Sequence, residues 1–534
     1  MSTVPELAEL KTAIAGQSAA PDTESFRRHV GQISRQSSVF FAGTVFTTGL
    51  GYVFRVYLAR VLGAEALGLY ALGMTIVGFW GIFNAFGLPQ SAVRFVSTYT
   101  GTAQLNHLRS FLWRGTAVLL IGNCVLGGIF VWSGPSIALR FYHTPALTRY
   151  LYFFVLIMFL GALTGFFAQV LAGYKNVTRR TLITNFVGTP VTMLLTVVLL
   201  FMGPGLRGYL LAQVLSSVVV LLLLVWTIWK VTPPQARLWT GSWARMDSEV
   251  VAFSSTVLGI GILEFCLAQA DKVLIGYYLN AREVGIYAIA AAVVGFVPIA
   301  LQSVNQIFSP TIADLHGRGE RELLQRLFQT LTKWILGLTL PLATFVIIFA
   351  APLMRFFGAD FQSGWPILVV GTVAQLVNCG VGSVGYLLLM SGNQGRLIKV
   401  QASGGILMLV LSSLLIPLWG IVGAGVAAAV VNVVTNAWCL REVRSSLRLS
   451  PYNASYFRLL PPFLATAVTL LALKLFVPFL QPGWAFILLS LFLGYCVFLG
   501  VALVVGLNGD DQLIAMAIWT RARGSFQQIV MERS

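Results

Sequence analysis

The sequence predicts an all-α polytopic membrane protein of about fourteen transmembrane helices, built as two parallel six-helix repeats with a C-terminal helix pair. Three observations predict this class. The chain carries too little charge to cover a water-facing surface, its apolar runs have bilayer-spanning length, and two segment pairs match at nearly one offset. Of 534 residues, 57% are hydrophobic and 10% charged, against roughly a quarter charged in an ordinary soluble domain. Most of the exterior must therefore face lipid. The runs are continuously apolar rather than alternating, which implies helices rather than strands.

A helix needs about 20 apolar residues to cross the hydrocarbon core. On that measure spans are expected near 38–60, 68–88, 110–132, 150–172, 182–202, 208–229, 250–278, 285–306, 328–350, 366–390, 399–418, 421–440, 459–478 and 484–506. Residues 1–37 are polar, mixed in charge and without the apolar core of a signal peptide, so they read as a cytosolic tail. An N-terminal six-helix lobe is expected over 38–240 and a C-terminal one over 241–450. Helices 13 and 14 with a cytosolic tail would fill 451–534. Pro298 is placed to kink span 8.

The net charge of +17 is distributed as a topology signal. With the N-terminus cytosolic, 26 Lys and Arg residues fall on that side and six on the other. That bias puts both termini in the cytoplasm. No basic face interleaved with stacking aromatics accompanies it, so nucleic acid is not an expected partner. Five scattered cysteines and four dispersed histidines lack metal-ligand spacing. Neither a metal nor a cofactor is expected, and buried packing accounts for the thiols.

The repeat rests on two pairs. LGAEALGLYALG at 62–73 aligns with LNAREVGIYAIA at 279–290, an offset of 217, with Gly68/Gly285 and Tyr70/Tyr287 identical. GLRGYLLAQVLSSVV at 205–219 aligns with GIVGAGVAAAVVNVV at 420–434, an offset of 215, with Gly205/Gly420 and Gly208/Gly423 identical. An offset of six spans makes the repeats parallel.

Ionisable residues inside spans are costly and mark functional candidates. Arg55 and Lys272 lie one repeat offset apart, so each half contributes a cation at an equivalent place. Two cations on a shared cavity favour an anionic ligand such as a phosphate or pyrophosphate. Snorkelling to the outer interface is the competing reading. Thr44, Thr48, Tyr52 and Arg55 recur at helical spacing on one face. Glu264 and Asp271, seven apart in span 7, form either a coupling-ion site or a structural pair, Asp271 with Arg55. Lys474 is expected to snorkel. Amide pairs such as Gln302/Asn305, Gln375/Asn378 and Asn432/Asn436 read individually as links between helices.

Three stretches carry a resemblance. FFAGTVFTTGLGYVFRVYLARVLGAEALGLYAL (40–72), ADKVLIGYYLNAREVGIYAIAAAV (270–293) and MSGNQGRLIKVQASGGILMLVLSSLLIPLWGIVGAGVAAAVVNVV (390–434) resemble bacterial polysaccharide-transport flippases. These belong to the multidrug/oligosaccharidyl-lipid/polysaccharide exporter superfamily. The resemblance implies a flippase that carries polyprenyl-pyrophosphate-linked oligosaccharide across the inner membrane by alternating access. It also implies a central cationic cavity, which Arg55 and Lys272 match by type and approximate position, with Thr48 and Tyr52 beside them. The implied partners are the lipid-linked substrate, the bilayer and other polysaccharide-assembly proteins.

Competing readings are a lipid II flippase or multidrug exporter of the same superfamily, an integral-membrane glycan ligase or polymerase, and a scaffold of a synthesis complex. An enzyme should expose acids or histidines in a sizeable aqueous loop, and this sequence offers none. A non-enzyme is expected.

Overall fold

A computed structural model describes residues 20–84, 86–203, 205–237, 250, 254, 265, 268–476 and 484–506, with side chains of the first helix from Phe46 onward. Glu264, Cys266 and Thr44, together with most of the expected span 250–278, lie outside the described side chains. The described chain is helical, with no strand.

The helices follow in order as α1 (Ala20–Asn84), α2 (Leu88–Gly101), α3 (Leu105–Ser136), α4 (Leu151–Gly173), α5 (Thr189–Phe201), α6 (Leu206–Val231) and α7 (Ala281–Val294). They continue as α8 (Ile299–Arg318), α9 (Arg321–Ile348), α10 (Trp365–Val381), α11 (Gln394–Ser446), α12 (Leu460–Phe476) and α13 (Trp484–Val505). Ten helices among the described residues are long and apolar enough to cross a membrane. The bent pair α7–α8 raises that to eleven. The bend is 55° and falls at Gly295–Pro298, where the proline was expected to kink the span.

Two helices are longer than one crossing requires. The apolar part of α1 runs over 39 residues and α11 over 53, or about 58 and 80 Å at 1.5 Å per residue. Each is broken at a glycine: Gly63 in α1 (φ 76°, ψ 176°) and Gly420 in α11 (φ 58°, ψ −139°). In α11 the chain doubles back, because a Cβ on Gly423 would fall on the Leu415 carbonyl. In a straight helix those residues stand about 12 Å apart. Gly205, the repeat partner of Gly420, has φ 55° and ψ −132°. One unusual backbone conformation thus recurs at both members of a predicted pair. Only glycine adopts it cheaply.

The chain divides into two compact units. Unit 1 holds residues up to Tyr57, Ile76–Ser136 and Thr148–Gly261; unit 2 holds Leu58–Thr75, Ile137–Leu147 and Ile262 onward. In unit 1, α2 buries Leu88, Ala92, Phe95, Val96 and Tyr99 against α3 and α4. The segment between spans 2 and 3 was expected only as a basic connector. It is instead an amphipathic helix, whose apolar residues at i, i+4, i+7, i+8 and i+11 face the core. Asn84 closes the end of α1, donating to Met158 O at 3.1 Å while its own carbonyl accepts from Asn123 at 2.9 Å. These amides join α1 to α3 and α4.

In unit 2 the core gathers Phe308, Ile312, Phe328, Leu387, Leu388 and Val443 from α8, α9, α11 and the segment after α10. That segment, Val384–Met390, is a separate helical piece, where one unbroken span over 366–390 was expected. Gly382, at φ 76° and ψ −149°, breaks the helix. A Cβ there would fall on the Thr332 side chain, so the break seats α10 against α9. Among the described thiols, Cys379 and Cys439 are buried but Cys124 and Cys496 are exposed. The exterior of a lipid-facing helix accepts a small apolar side chain as readily as its core does.

Candidate functional site

The in-span cations have matching local settings. In unit 1 the Arg55 guanidinium carbon lies 5.3 Å from the Tyr52 ring centroid, three residues back along α1, and Arg55 is exposed. In unit 2 the Lys272 ammonium donates to Gln269 Oε1 at 2.9 Å, again three residues back. Gln269 is the repeat counterpart of Tyr52, just as Lys272 is of Arg55. Both cations thus rest on the side chain one turn earlier, one by cation–π attraction and one by a charge-assisted hydrogen bond. Thr48 is half-buried on the same helix.

Asp271 is engaged within unit 2. Its Oδ2 accepts from the Tyr287 hydroxyl at 2.7 Å and its Oδ1 from the Lys272 backbone N–H at 2.7 Å. Tyr287 is 2% exposed. The structural alternative for this acid therefore has a partner that the sequence did not single out. Tyr287 stands 16 residues on, and its pairing becomes visible only when α7 folds back beside the end of span 7.

The repeat counterpart of Asp271 is Phe54, and there the halves diverge. Phe54 lines a pocket of about 350 Å³ in unit 1, at the lower end of the roughly 300–1,000 Å³ typical of ligand sites. Its other walls include Thr164, Thr184, Thr192, Gln213 and Ser216, and no lining residue is charged. Thr164, Thr184 and Thr192 each donate to the carbonyl four residues back, at 2.8, 2.9 and 2.9 Å. Ser216 Oγ lies 2.6 Å from Thr192 Oγ1, and Gln213 donates to the Tyr209 hydroxyl at 2.8 Å. With their protons directed at the backbone, the threonine oxygens keep acceptor capacity for a donor such as a sugar hydroxyl. A π-helix over Leu182–Gly188 positions one wall, a device frequent at functional sites. This pocket was missed from sequence. The available signal was the run Thr184, Gly188, Thr192 at spacing four, which taken singly reads as helix packing.

Unit 2 also joins the two matched hairpins. A Cβ on Gly68 would fall on the Ala281 carbonyl oxygen, and one on Gly285 would fall on the Ala64 carbonyl oxygen. Gly68 matches Gly285 and Ala64 matches Ala281 across the repeat, so the contact is reciprocal. Beside it, Gly276 admits the Leu72 and Tyr142 side chains.

The sequence profile of a family described as "Polysaccharide biosynthesis protein" matches residues 57–364, more than half of the chain. The chain belongs to the polysaccharide biosynthesis protein family. Among curated proteins it is similar to a probable low-salt glycan biosynthesis flippase, Agl15 of Haloferax volcanii, at 24% identity over 171 residues. That match covers 31% of this chain and only 36% of the relative's length. Among solved structures the fold is similar to the lipid II flippase MurJ in an inward closed conformation. The TM-score is 0.67 at 14% identity, covering 87% of this chain and 98% of that one. An inward-facing multidrug resistance MATE family transporter of the MOP superfamily matches with a TM-score of 0.61 at 14% identity, covering 74% and 94%. The polysaccharide biosynthesis family member thus has the multi-span fold of these transporters, as the resemblance implied.

Proposed function

We propose that the protein is a flippase for polyprenyl-pyrophosphate-linked oligosaccharide in the bacterial inner membrane, working by alternating access with both termini in the cytoplasm. The observation that carries this reading is the pairing of a polysaccharide biosynthesis family sequence with the fold of a flippase. The paired cations add to it. Arg55 and Lys272 are read as clamps for the pyrophosphate, with Tyr52 and Thr48 lining the first of them. The neutral hydroxyl-lined pocket of unit 1 suits a saccharide. Asp271, with Glu264, is assigned a structural or ion-coupling role.

The test is reconstitution of the purified protein alone in liposomes carrying a fluorescent lipid-linked oligosaccharide. Arg55→Ala and Lys272→Ala should each slow translocation by at least tenfold while the protein still inserts and purifies normally. Wild-type rates in both variants would overturn the clamp assignment, and a protein inert towards every glycolipid offered would overturn the flippase reading.

The likeness to MurJ supports a second reading, lipid II as the cargo. Growth rescue of cells depleted of their lipid II flippase would favour it; failure there, with restored surface polysaccharide in an export-deficient strain, would favour the oligosaccharide.

A further inference from the structure

The repeat supplies an internal comparison for the polar pocket of unit 1. Four of its lining residues, Tyr209, Gln213, Ser216 and Ser217, stand on α6. In the alignment of 205–219 with 420–434 they match Ala424, Ala428, Val431 and Asn432. Ala424 is fully buried, and Ala428 and Val431 pack with Leu407, Leu411 and Leu415 in an apolar cluster. The second half thus builds the corresponding hairpin with mostly aliphatic side chains at these places. Polar groups along α6 are therefore not a requirement of the architecture. An interhelical hydrogen bond in a membrane bundle contributes only about 0.6 kcal/mol on average, which is a weak reason to keep a whole wall of them.

The lining is polar yet carries no charge. Arg55 follows Phe54 in α1, and Arg180 stands one turn before Thr184, but neither lines the pocket. Its hydroxyl protons are also spoken for. Thr164 Oγ1 has the carbonyls of Leu160 and Gly161 as acceptors at 2.8 and 3.1 Å. Thr184 Oγ1 has Arg180 O at 2.9 Å and Asn185 Oδ1 at 2.7 Å. Thr192 donates to Gly188 O at 2.9 Å, and Ser216 lies 2.6 Å from Thr192 Oγ1 and 3.2 Å from that same carbonyl. With those protons committed to the protein, the four oxygens are left as acceptors.

Such a wall discriminates between sugars. A neutral sugar hydroxyl can donate to one of these oxygens and accept from another hydroxyl in return. A carboxylate only accepts. Set among four acceptor oxygens with no cation in the lining, it gives up water and gains no partner of opposite charge. Taking a charge from water is costly unless it is paired.

We infer that this pocket is a selectivity site for the glycan, taking an uncharged sugar residue and turning away an acidic one such as a uronic acid. The inference rests on the flippase reading above and divides the cargo between two settings: pyrophosphate on the cations, sugar where no cation stands. At about 350 Å³ the pocket is at the lower end for ligand sites. It therefore admits a small part of an oligosaccharide, and the selection falls on that part alone.

The test is the liposome assay with two polyprenyl-pyrophosphate-linked disaccharides, one of two glucose residues and one of two glucuronic acid residues. The wild type should move the neutral form at least tenfold faster. Thr192→Val keeps the shape and removes one acceptor, leaving Gly188 O to Ser216; it should narrow that ratio at least threefold. Ser217→Arg puts a cation in the lining and should narrow it further or reverse it. A misfolded variant slows both substrates alike, so the ratio separates selectivity from damage. Equal wild-type rates, a faster uronate, or a ratio unchanged in both variants would overturn the selectivity site and leave the flippase reading standing. A wild type that moves neither would overturn the flippase reading. Binding of the two free disaccharides, followed by ligand-observed NMR on the purified protein, then decides the pocket by itself: preference for the neutral one upholds it, and equal binding or none overturns it.

Discussion

The Tyr287 hydroxyl donates to Asp271 Oδ2 at 2.7 Å, joining the end of span 7 to the helix that follows it. Tyr287 is fully packed and Asp271 half-buried, so neither group is readily served by water. Removing one partner of such a bond costs more than the bond itself contributes. Tyr287→Phe should therefore lower stability by about 1.5–3 kcal/mol, the range for hydrogen bonds to charged groups. Asp271→Asn, which keeps an acceptor, should cost less. Thermal unfolding in detergent reads the order. A coupling role for Asp271 predicts in addition that Asp271→Asn abolishes transport at a temperature where the protein is folded, whereas Tyr287→Phe retains it.

At the hairpin contact the obstacle is backbone. Gly68→Val and Gly285→Val should both impair folding or lock transport, with overpacking costs of at least about 1–3 kcal/mol. Gly128→Val, where no atom lies within 4 Å of a Cβ, should be tolerated. Comparing Tm and transport for the three variants checks this directly.

The hairpin glycines predict a matched pair of effects. Gly205→Ala and Gly420→Ala face open space, so crowding is not the penalty. Each should cost about 1–3 kcal/mol through backbone strain alone. Equal losses in Tm would reflect the near-identical dihedrals; a silent variant at either position would count against that equivalence.

Lys474→Met should be mild. The ammonium satisfies the terminal carbonyl of α9, and a single exposed cation at a helix C-terminus contributes about 0.3–1 kcal/mol. A drop in Tm of a few degrees with normal transport is expected. Loss of transport would mean that Lys474 does more than secure the helix end.

Periodic features were the legible ones. The matched glycines, the bend at Pro298 and the placing of Arg55 and Lys272 at one offset all follow from spacing, which a helix converts directly into position. Features set by tertiary approach were not legible. Tyr287 is an ordinary packed aromatic until α7 returns beside Asp271. Gly382 resembles any glycine in a span until Thr332 is found against it. Thr164, Thr184, Thr192 and Ser216 come from three helices, and only their convergence makes a pocket. Leu88–Gly101 was overlooked because its apolar stripe is too short and too mixed to read as a span, while its single arginine, Arg94, reads as part of a connector.

The Gly68–Gly285 contact restricts how this protein can diverge. A side chain pressed against another side chain can be relieved by trimming the neighbour. Here each glycine faces a carbonyl oxygen of the opposite hairpin, which every amino acid carries. No second-site change at Ala281 or Ala64 makes room, so a lineage can lose neither glycine in exchange for a compensating partner. Positions 68 and 285 should therefore stay fixed while the side chains around them drift.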